Sequence, residues 1–356
     1  MRALGAVGAG LSLVALLLLG ACGGSRAERA ELGGEVATGE ATTPVRTGGA
    51  NVVESVEPWT FGGAEGQIIR TRHYRIYTTE TNAVLVNRLP GFLEAALDHY
   101  RNALGPLPPP PIRLDTFLMD NRSQWTRLTT QLMGRDAPRF LRIGRGGFAT
   151  NGRAVLYDIG LFDTMAIAAH EGWHQYTQRT FRDPLPVYLE EGIASYMEGH
   201  KWAGSTPVFL PWANVERFDQ LRAAAARDEL QPLRTLLDSA PQDLLDHVGD
   251  GALTYYAQVW ALVHFLHEGA GGRHRETLRN LLIDASQGRM RNVLVNRYGT
   301  NPGMTALASR RGAAVFVAYF DDLEAIEAEF ERFMQALVRS GSRGPIVAGE
   351  SPFASE

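Results

Sequence analysis

The sequence predicts an α+β protein, with a small, mostly antiparallel sheet first and a largely helical lobe after it. Three observations carry this reading. Runs rich in Ile, Tyr, Thr and Val with period-two alternation are confined to the region before residue 160. The pair Asn151-Gly152, flanked by β-forming residues, is a strong hairpin signal that closes that region. From about Phe162 onward, apolar residues recur at helical spacing.

Residues 1–22 read as an address rather than as structure. Arg2 supplies a positive start, and Leu11 to Leu19 is an apolar run too short for a permanent membrane helix. Leu19-Gly20-Ala21-Cys22 looks like a bacterial lipobox, which implies cleavage before Cys22, lipidation of that cysteine and a place in the cell envelope, on the outer membrane where there is one. Cys22 is the one cysteine of the chain, so an intramolecular disulfide, a cysteine zinc site and a cysteine nucleophile are excluded from the folded body. Residues 23–58, rich in Gly, Ala, Thr and Glu, hold too little apolar surface to order themselves and read as a tether. Flexible-chain scaling gives such a tether a reach of roughly 33 Å.

Residues 59–342 form the predicted body, with an α+β lobe over 59–160 and a helical lobe over 161–342. Gln67 to Thr79 alternates as a strand, and Asn82 to Leu104 follows as a helix interrupted by Pro90. Pro108 to Pro111 is a stiff break before a second strand, Ile112 to Met119, and a short helix, Asn121 to Met133. After Tyr196 the chain reads as almost all helix: Val215 to Arg227, Leu230 to Leu237, the apolar Ala252 to Glu268, Arg275 to Ala285 and Asp321 to Val338. The tail from Ser340 loses its pattern, and residues 343–356 read as loose.

The net charge of −4 and a pI near 6.2 leave no electrostatic footprint for nucleic acid. Of 35 basic residues only Lys201 is a lysine, which argues against Schiff-base chemistry.

The chemistry centres on His170-Glu171-Gly172-Trp173-His174. Residues four apart share a helix face, so His170 and His174 can aim both imidazoles at one point. Two neutral imidazoles suit Zn²⁺, and the glutamate between them can hold a water on that metal. Arg182 to Pro186 breaks the helix with two prolines. The next helical segment, Pro186 to Tyr196, returns a carboxylate 17 residues after His174. Two histidines and one glutamate leave a fourth metal position open, the catalytic arrangement.

The H-E-x-x-H motif followed by Leu189-Glu190-Glu191-Gly192-Ile193-Ala194-Ser195-Tyr196 resembles the signature of the gluzincin zinc metallopeptidases, most closely the bacterial peptidase MA-like families. The resemblance is specific over residues 165–200 and loose over 65–340. It implies a zincin-like fold, Zn²⁺ on His170, His174 and Glu191 rather than Glu190, and Glu171 as general base. It further implies an edge strand, here the one around Asn151-Gly152, that pairs with a peptide substrate. Tyr255 and Tyr256 precede Ala257-Gln258-Val259-Trp260, similar to a Y-x-x-x-W helix of peptidase MA-like proteins, and this points to Tyr256 as the oxyanion donor. His200 and His247 are weaker candidates for that role. The chain lacks the G-x-M-E-N segment of gluzincin aminopeptidases, so exopeptidase specificity does not carry over, and Ser195 stands where some relatives place an acidic residue that orients a metal histidine.

The expected function is therefore zinc-dependent hydrolysis of peptide bonds in a peptide or protein substrate by a protein anchored to the membrane through its N-terminal lipid. The alternative is an inactive, metallopeptidase-like binding lipoprotein. Nothing in the sequence fixes an oligomeric state.

Overall fold

A computed structural model of the protein describes residues 52–244 and 251–353. Cys22 with the leader, most of the segment read as a tether, and His247 lie outside the described residues. Six strands form one mixed sheet in the order β1-β2-β3-β4-β6-β5: β1 Ser55–Phe61, β2 Ala64–Arg70, β3 Tyr74–Thr78, β4 Leu114–Met119, β5 Gly147–Thr150 and β6 Arg153–Tyr157. The pairings β1/β2, β2/β3 and β5/β6 are antiparallel, whereas β3/β4 and β4/β6 are parallel. Parallel neighbours need a crossover. Helix α1 (Ala83–Asn102) supplies the first, while α2 (Arg122–Met133) and α3 (Ala137–Phe140) lie between β4 and the β5–β6 hairpin.

Alternation along each strand sorts side chains to two apolar layers. Tyr74 and Ile76 of β3, with Leu114 and Leu118 of β4, join the main core. Phe148, Val155 and Tyr157 point to the opposite face, where Trp125 and Phe140 of α2 and α3 cover them. Asn151 and Gly152 turn the β5–β6 hairpin with φ of 50° and 68°, the left-handed pair that a two-residue turn requires.

The helix with the H-E-x-x-H motif, α4 (Leu161–Thr180), lies against β5 and β6 and against α1. Helix α5 (Val187–Met197) follows the proline-containing break. A small hairpin of β7 (His200–Ala203) and β8 (Thr206–Phe209) then leads to α6 (Val215–Ala226), α7 (Leu233–Asp238) and α8 (Pro241–Leu244). Helix α9 (Gly251–Gly272) is the axis of the helical lobe, with Tyr255 to Leu266 buried throughout. Its last turn breaks at Gly269, after which α10 (Arg275–Gln287), α11 (Met290–Tyr298), α12 (Thr300–Ser309), α13 (Ala314–Phe320), α14 (Leu323–Leu337) and α15 (Arg343–Ala348) complete the lobe. Among the described residues, no helix is long and apolar enough to cross a membrane.

Four expectations change. Residues 55–58, read as the end of the tether, lie in β1, which pairs with β2 over its whole length. The single strand expected over Gln67 to Thr79 is a hairpin reversing at Thr71 to His73. Glu94 of α1 fixes that turn, accepting from Thr71 Oγ1 at 2.6 Å and His73 N at 2.8 Å. The run after Tyr196, expected to be almost all helix, carries one short hairpin as well, β7 with β8. Residues 343–353 are not loose: Ile346 is buried, and Phe353 packs on Phe333 with ring centroids 4.7 Å apart.

Candidate metal centre

Helix α4 is amphipathic in an unusual sense, because its whole middle is buried. One side grips the sheet. Gln175 donates to the Asp115 carbonyl at 2.6 Å, Gln178 accepts from Gly152 N at 2.8 Å, and Glu171 lies on the same side next to Gly147 of β5. Another side meets α1, where Tyr100 donates to the Ala169 carbonyl at 2.7 Å. A Cβ on Gly172 would fall 2.6 Å from that hydroxyl, which explains a glycine within the helix despite its cost of about 1 kcal/mol. The remaining side presents His170 and His174, one above the other with ring centroids 5.0 Å apart.

Helix α5 brings Glu191 to the same point. Its Oε2 lies 3.6 Å from His170 Nε2 and 3.5 Å from His174 Nε2, and the three donor atoms all fall within 4.8 Å of one another. Bonds of about 2.0–2.1 Å to a tetrahedral zinc put neighbouring donors about 3.3–3.4 Å apart, so the two measured edges match a shared cation. Gly192 sets the approach of this helix: a Cβ there would stand 2.5 Å from the Val259 carbonyl, so α5 lies flush on the backbone of α9.

The polar atoms at this point are buried and unsatisfied. His170 Nε2, His174 Nε2, Glu191 Oε2 and both Glu171 oxygens have no hydrogen-bond partner among the described residues. Each such atom costs about 1–3 kcal/mol if left unmatched, so three of them converging on one point, with two more on the Glu171 next in sequence to His170, mark a site built for a ligand. The donor set of two imidazoles and a carboxylate is that of a metal ion, and His170, His174 and Glu191 are placed to hold one.

Both imidazoles are oriented from behind. Glu198, just past the end of α5, faces His170 Nδ1 at 2.7 Å, and Glu190 faces His174 Nδ1 at 2.9 Å. A carboxylate at Nδ1 keeps the proton there and turns the Nε2 lone pair toward the metal point. Glu190 also accepts from Thr177 Oγ1 at 2.7 Å. Glu198 is held by Asn214 Nδ2 at 2.7 Å and by buried Arg217, through Nη2 at 2.9 Å and Nε at 3.2 Å. Burial works to raise the Glu198 carboxyl, but Arg217 and His170 outweigh it and hold it at about 2. Burial likewise opposes ionisation of Glu191, which His174 and His170 nevertheless bring down to about 2. His174 is pushed up to about 10, because Glu191 and Glu190 overcome its burial. Glu171 behaves differently: burial, only partly offset by the two histidines, lifts it to about 7.

Tyr256 of α9 stands beside the cluster, its ring centroid 6.0 Å from that of His170 and 5.1 Å from the Arg217 guanidinium carbon. His200 does not join the cluster. Its ring packs among Phe92, Phe162 and Trp202, and its Nδ1 bonds the Glu198 carbonyl at 2.8 Å. The sequence reading missed Glu190, Glu198, Asn214 and Arg217 as the groups behind the histidines. Glu198 had a visible signal, seven residues and two turns beyond Glu191 on the same face. Arg217 had none, since its partner is 19 residues away in another element.

No protein-family model matches the chain, and no curated protein matches it.

Proposed function

We propose that the protein is a zinc-dependent hydrolase of peptide bonds, anchored in the bacterial envelope through a lipid on Cys22. The observation that carries this is the pairing of three converging donor atoms with a fourth buried group, Glu171, whose two oxygens have no partner among the described residues. Zinc suits two imidazoles and one carboxylate, and when bound there it supplies Lewis acidity that polarises a carbonyl and acidifies water.

The chain's own residues do the rest. Glu171, lifted by burial to about 7, takes a proton from the attacking water and returns it to the leaving amine near neutral pH. Tyr256, whose own ionisation burial drives far upward, stays protonated and donates its hydroxyl hydrogen to the developing oxyanion. Glu190 and Glu198 keep both imidazoles turned to the metal point. The substrate backbone pairs with β5, the end strand of the sheet, whose first residue Gly147 lies against Glu171, once that edge is uncovered: the strand is buried along its length and its Ala149 carbonyl accepts from Gln178 Nε2 at 3.3 Å.

Elemental analysis of the purified protein should give about one zinc per chain, and the zinc form should cleave a denatured protein substrate. Glu171→Gln should keep its zinc and lose about 10²–10⁴ in kcat. A chain without bound metal, or a Glu171→Gln variant as active as the parent, overturns the reading.

A further inference from the structure

The end of the sheet remote from the start of α4 carries features that the metal centre does not use. Strands β3, β4 and β6 begin there side by side, with Tyr74 opposite Leu114 and Asp115 opposite Arg153. Strand β1 begins there too, Ser55 pairing with Arg70. Arg113 ties these strand ends together: it donates to the Thr71 carbonyl at 2.9 Å and pairs with Glu54. The described chain therefore enters the body at this end, at Val52, thirty residues after Cys22.

Three of the eight exposed large apolar side chains among the described residues gather here: Val52, Val56 and Ile112, the last 56 % exposed. Ile112 continues the run Pro108 to Pro111, of which Pro108, Pro109 and Pro111 are exposed. Proline has no N–H, so this ridge can leave water without stranding a donor, and Tyr176 already donates to the Pro108 carbonyl at 2.6 Å. Beside the ridge, a recess of about 640 Å³ reaches the ends of α4 and α10. Arg179, Arg182 and Arg289 line it with Thr180, whose buried hydroxyl has no partner among the described residues. Arg179 lies across the Gly152 turn. Neither Arg179 nor Arg182 faces a carboxylate among the described residues, and nor does exposed Arg72 in the β2–β3 turn. The acids close by are matched: Asp115 by Arg75, Asp284 by Arg289 and Asp183 by Arg291. An apolar ridge thus stands beside surplus positive charge.

We propose that this end of the body docks on an anionic lipid bilayer, with Ile112 and the proline ridge among the headgroups and Arg72, Arg179 and Arg182 on lipid phosphates. The proposal rests on the reading of Cys22 as a lipid anchor. Position is the first argument: a flexible chain of thirty residues spans roughly 30 Å, so an anchored Cys22 holds the end at Val52 close to the bilayer before any other part of the body. Charge is the second. An anionic leaflet favours each nearby arginine by about fivefold in binding, and the guanidinium fork matches a phosphate. The third is the exposed apolar patch itself, rimmed by polar groups as interaction surfaces are. Docking would also fix the height of the metal centre, since His174 stands six residues, about 9 Å along α4, from Thr180 at the recess.

The test uses the full chain in lipid vesicles. A lipid on Cys22 blocks the one thiol of the chain, so an environment-sensitive fluorophore enters only at an introduced cysteine. Ile112→Cys reports on this end, and Phe162→Cys, exposed at the opposite end of α4, is the control. On vesicles of two parts phosphatidylcholine to one part phosphatidylglycerol, brominated acyl chains should quench the label at 112 and leave the label at 162 bright. The quenching should vanish on phosphatidylcholine alone, and in 1 M salt, where the screening length is about 3 Å. Arg179→Gln combined with Arg182→Gln should lower the ratio of docked to free label about 25-fold. Equal quenching at the two positions, or a label at 112 indifferent to lipid charge and to both arginines, overturns the docking surface. A parent chain that reacts with thiol reagents and stays off phosphatidylcholine vesicles removes the anchor instead. Both labels are then placed in Cys22→Ser and read on the anionic vesicles, where quenching at 112 alone supports docking and its absence removes it.

Discussion

Replacing Glu198 by glutamine isolates the role of the groups behind the metal ligands. Four donors converge on its two oxygens: His170 Nδ1 and Arg217 Nη2 on one, Asn214 Nδ2 and Arg217 Nε on the other. Glutamine keeps the shape but turns one oxygen into a donor, which then faces two donors. It also leaves the Arg217 guanidinium, 1 % exposed, without its counter-charge. Breaking a buried ion pair in this way costs about 3–5 kcal/mol. The acid–base behaviour gives a similar size, since a carboxyl brought from 4.5 to about 2 contributes about 3 kcal/mol. That contribution is present above the ordinary value of 4.5 and is lost as pH falls through about 2. Glu198→Gln should thus lower unfolding free energy by about 3 kcal/mol at pH 7 and flatten the acid limb of the stability curve. Because His170 loses its orienting partner, zinc affinity should fall about 10–100-fold, measured by competition with a chromogenic chelator. A variant that loses stability yet binds zinc as tightly as the parent would show that Glu198 only holds the fold, and the orienting argument would fail.

Other perturbations test neighbouring links. Tyr256→Phe should lower kcat with little change in KM and leave zinc bound; equal loss of zinc would mean that the ring holds His170 in place rather than serving the reaction. Gly172→Ala should destabilise by about 1–3 kcal/mol in urea unfolding, because its Cβ meets the Tyr100 hydroxyl, and the double variant with Tyr100→Phe should recover part of that loss. Burial lowers His99 from 6.5 to about 4, so its contribution is complete above 6.5 and is lost as pH falls toward 4; His99→Phe should remove that slope from the pH dependence of the melting temperature. Saturating zinc at a thousand times its Kd should raise stability by about 4 kcal/mol over the chelated protein, seen as a shift in the melting temperature.

The elements that sequence reading recovered are those defined by local chemistry. Asn121 caps α2 through its side chain, Asn151-Gly152 turns the hairpin, and the motif histidines repeat at one helical turn. What it missed depends on partners distant in sequence. The β2–β3 turn carries no Gly, Pro or Asn and is set by Glu94 instead. Strand β1, with five of its seven residues drawn from Ser, Glu, Pro and Thr or exposed valine, has too little apolar surface to announce itself and is ordered by pairing with β2. The tail is held by two isolated apolar residues, buried Ile346 and Phe353, the latter seated against Phe333 and Trp212. At the site, the two imidazoles follow from spacing and the choice of Glu191 over Glu190 from the gluzincin resemblance, whereas the guanidinium behind them becomes visible only once α6 is folded against the site.

The flush contact at Gly192 has a mechanical consequence. Because Gly192 lets α5 rest on the α9 main chain at Val259, the carboxylate donor and Tyr256 sit on two helices packed backbone to backbone. The two imidazole donors sit on α4, fastened to the strands by Gln175 and Gln178. A single cation would then be a further rivet across a seam that the His170–Glu198, His174–Glu190 and Thr177–Glu190 bonds already fasten.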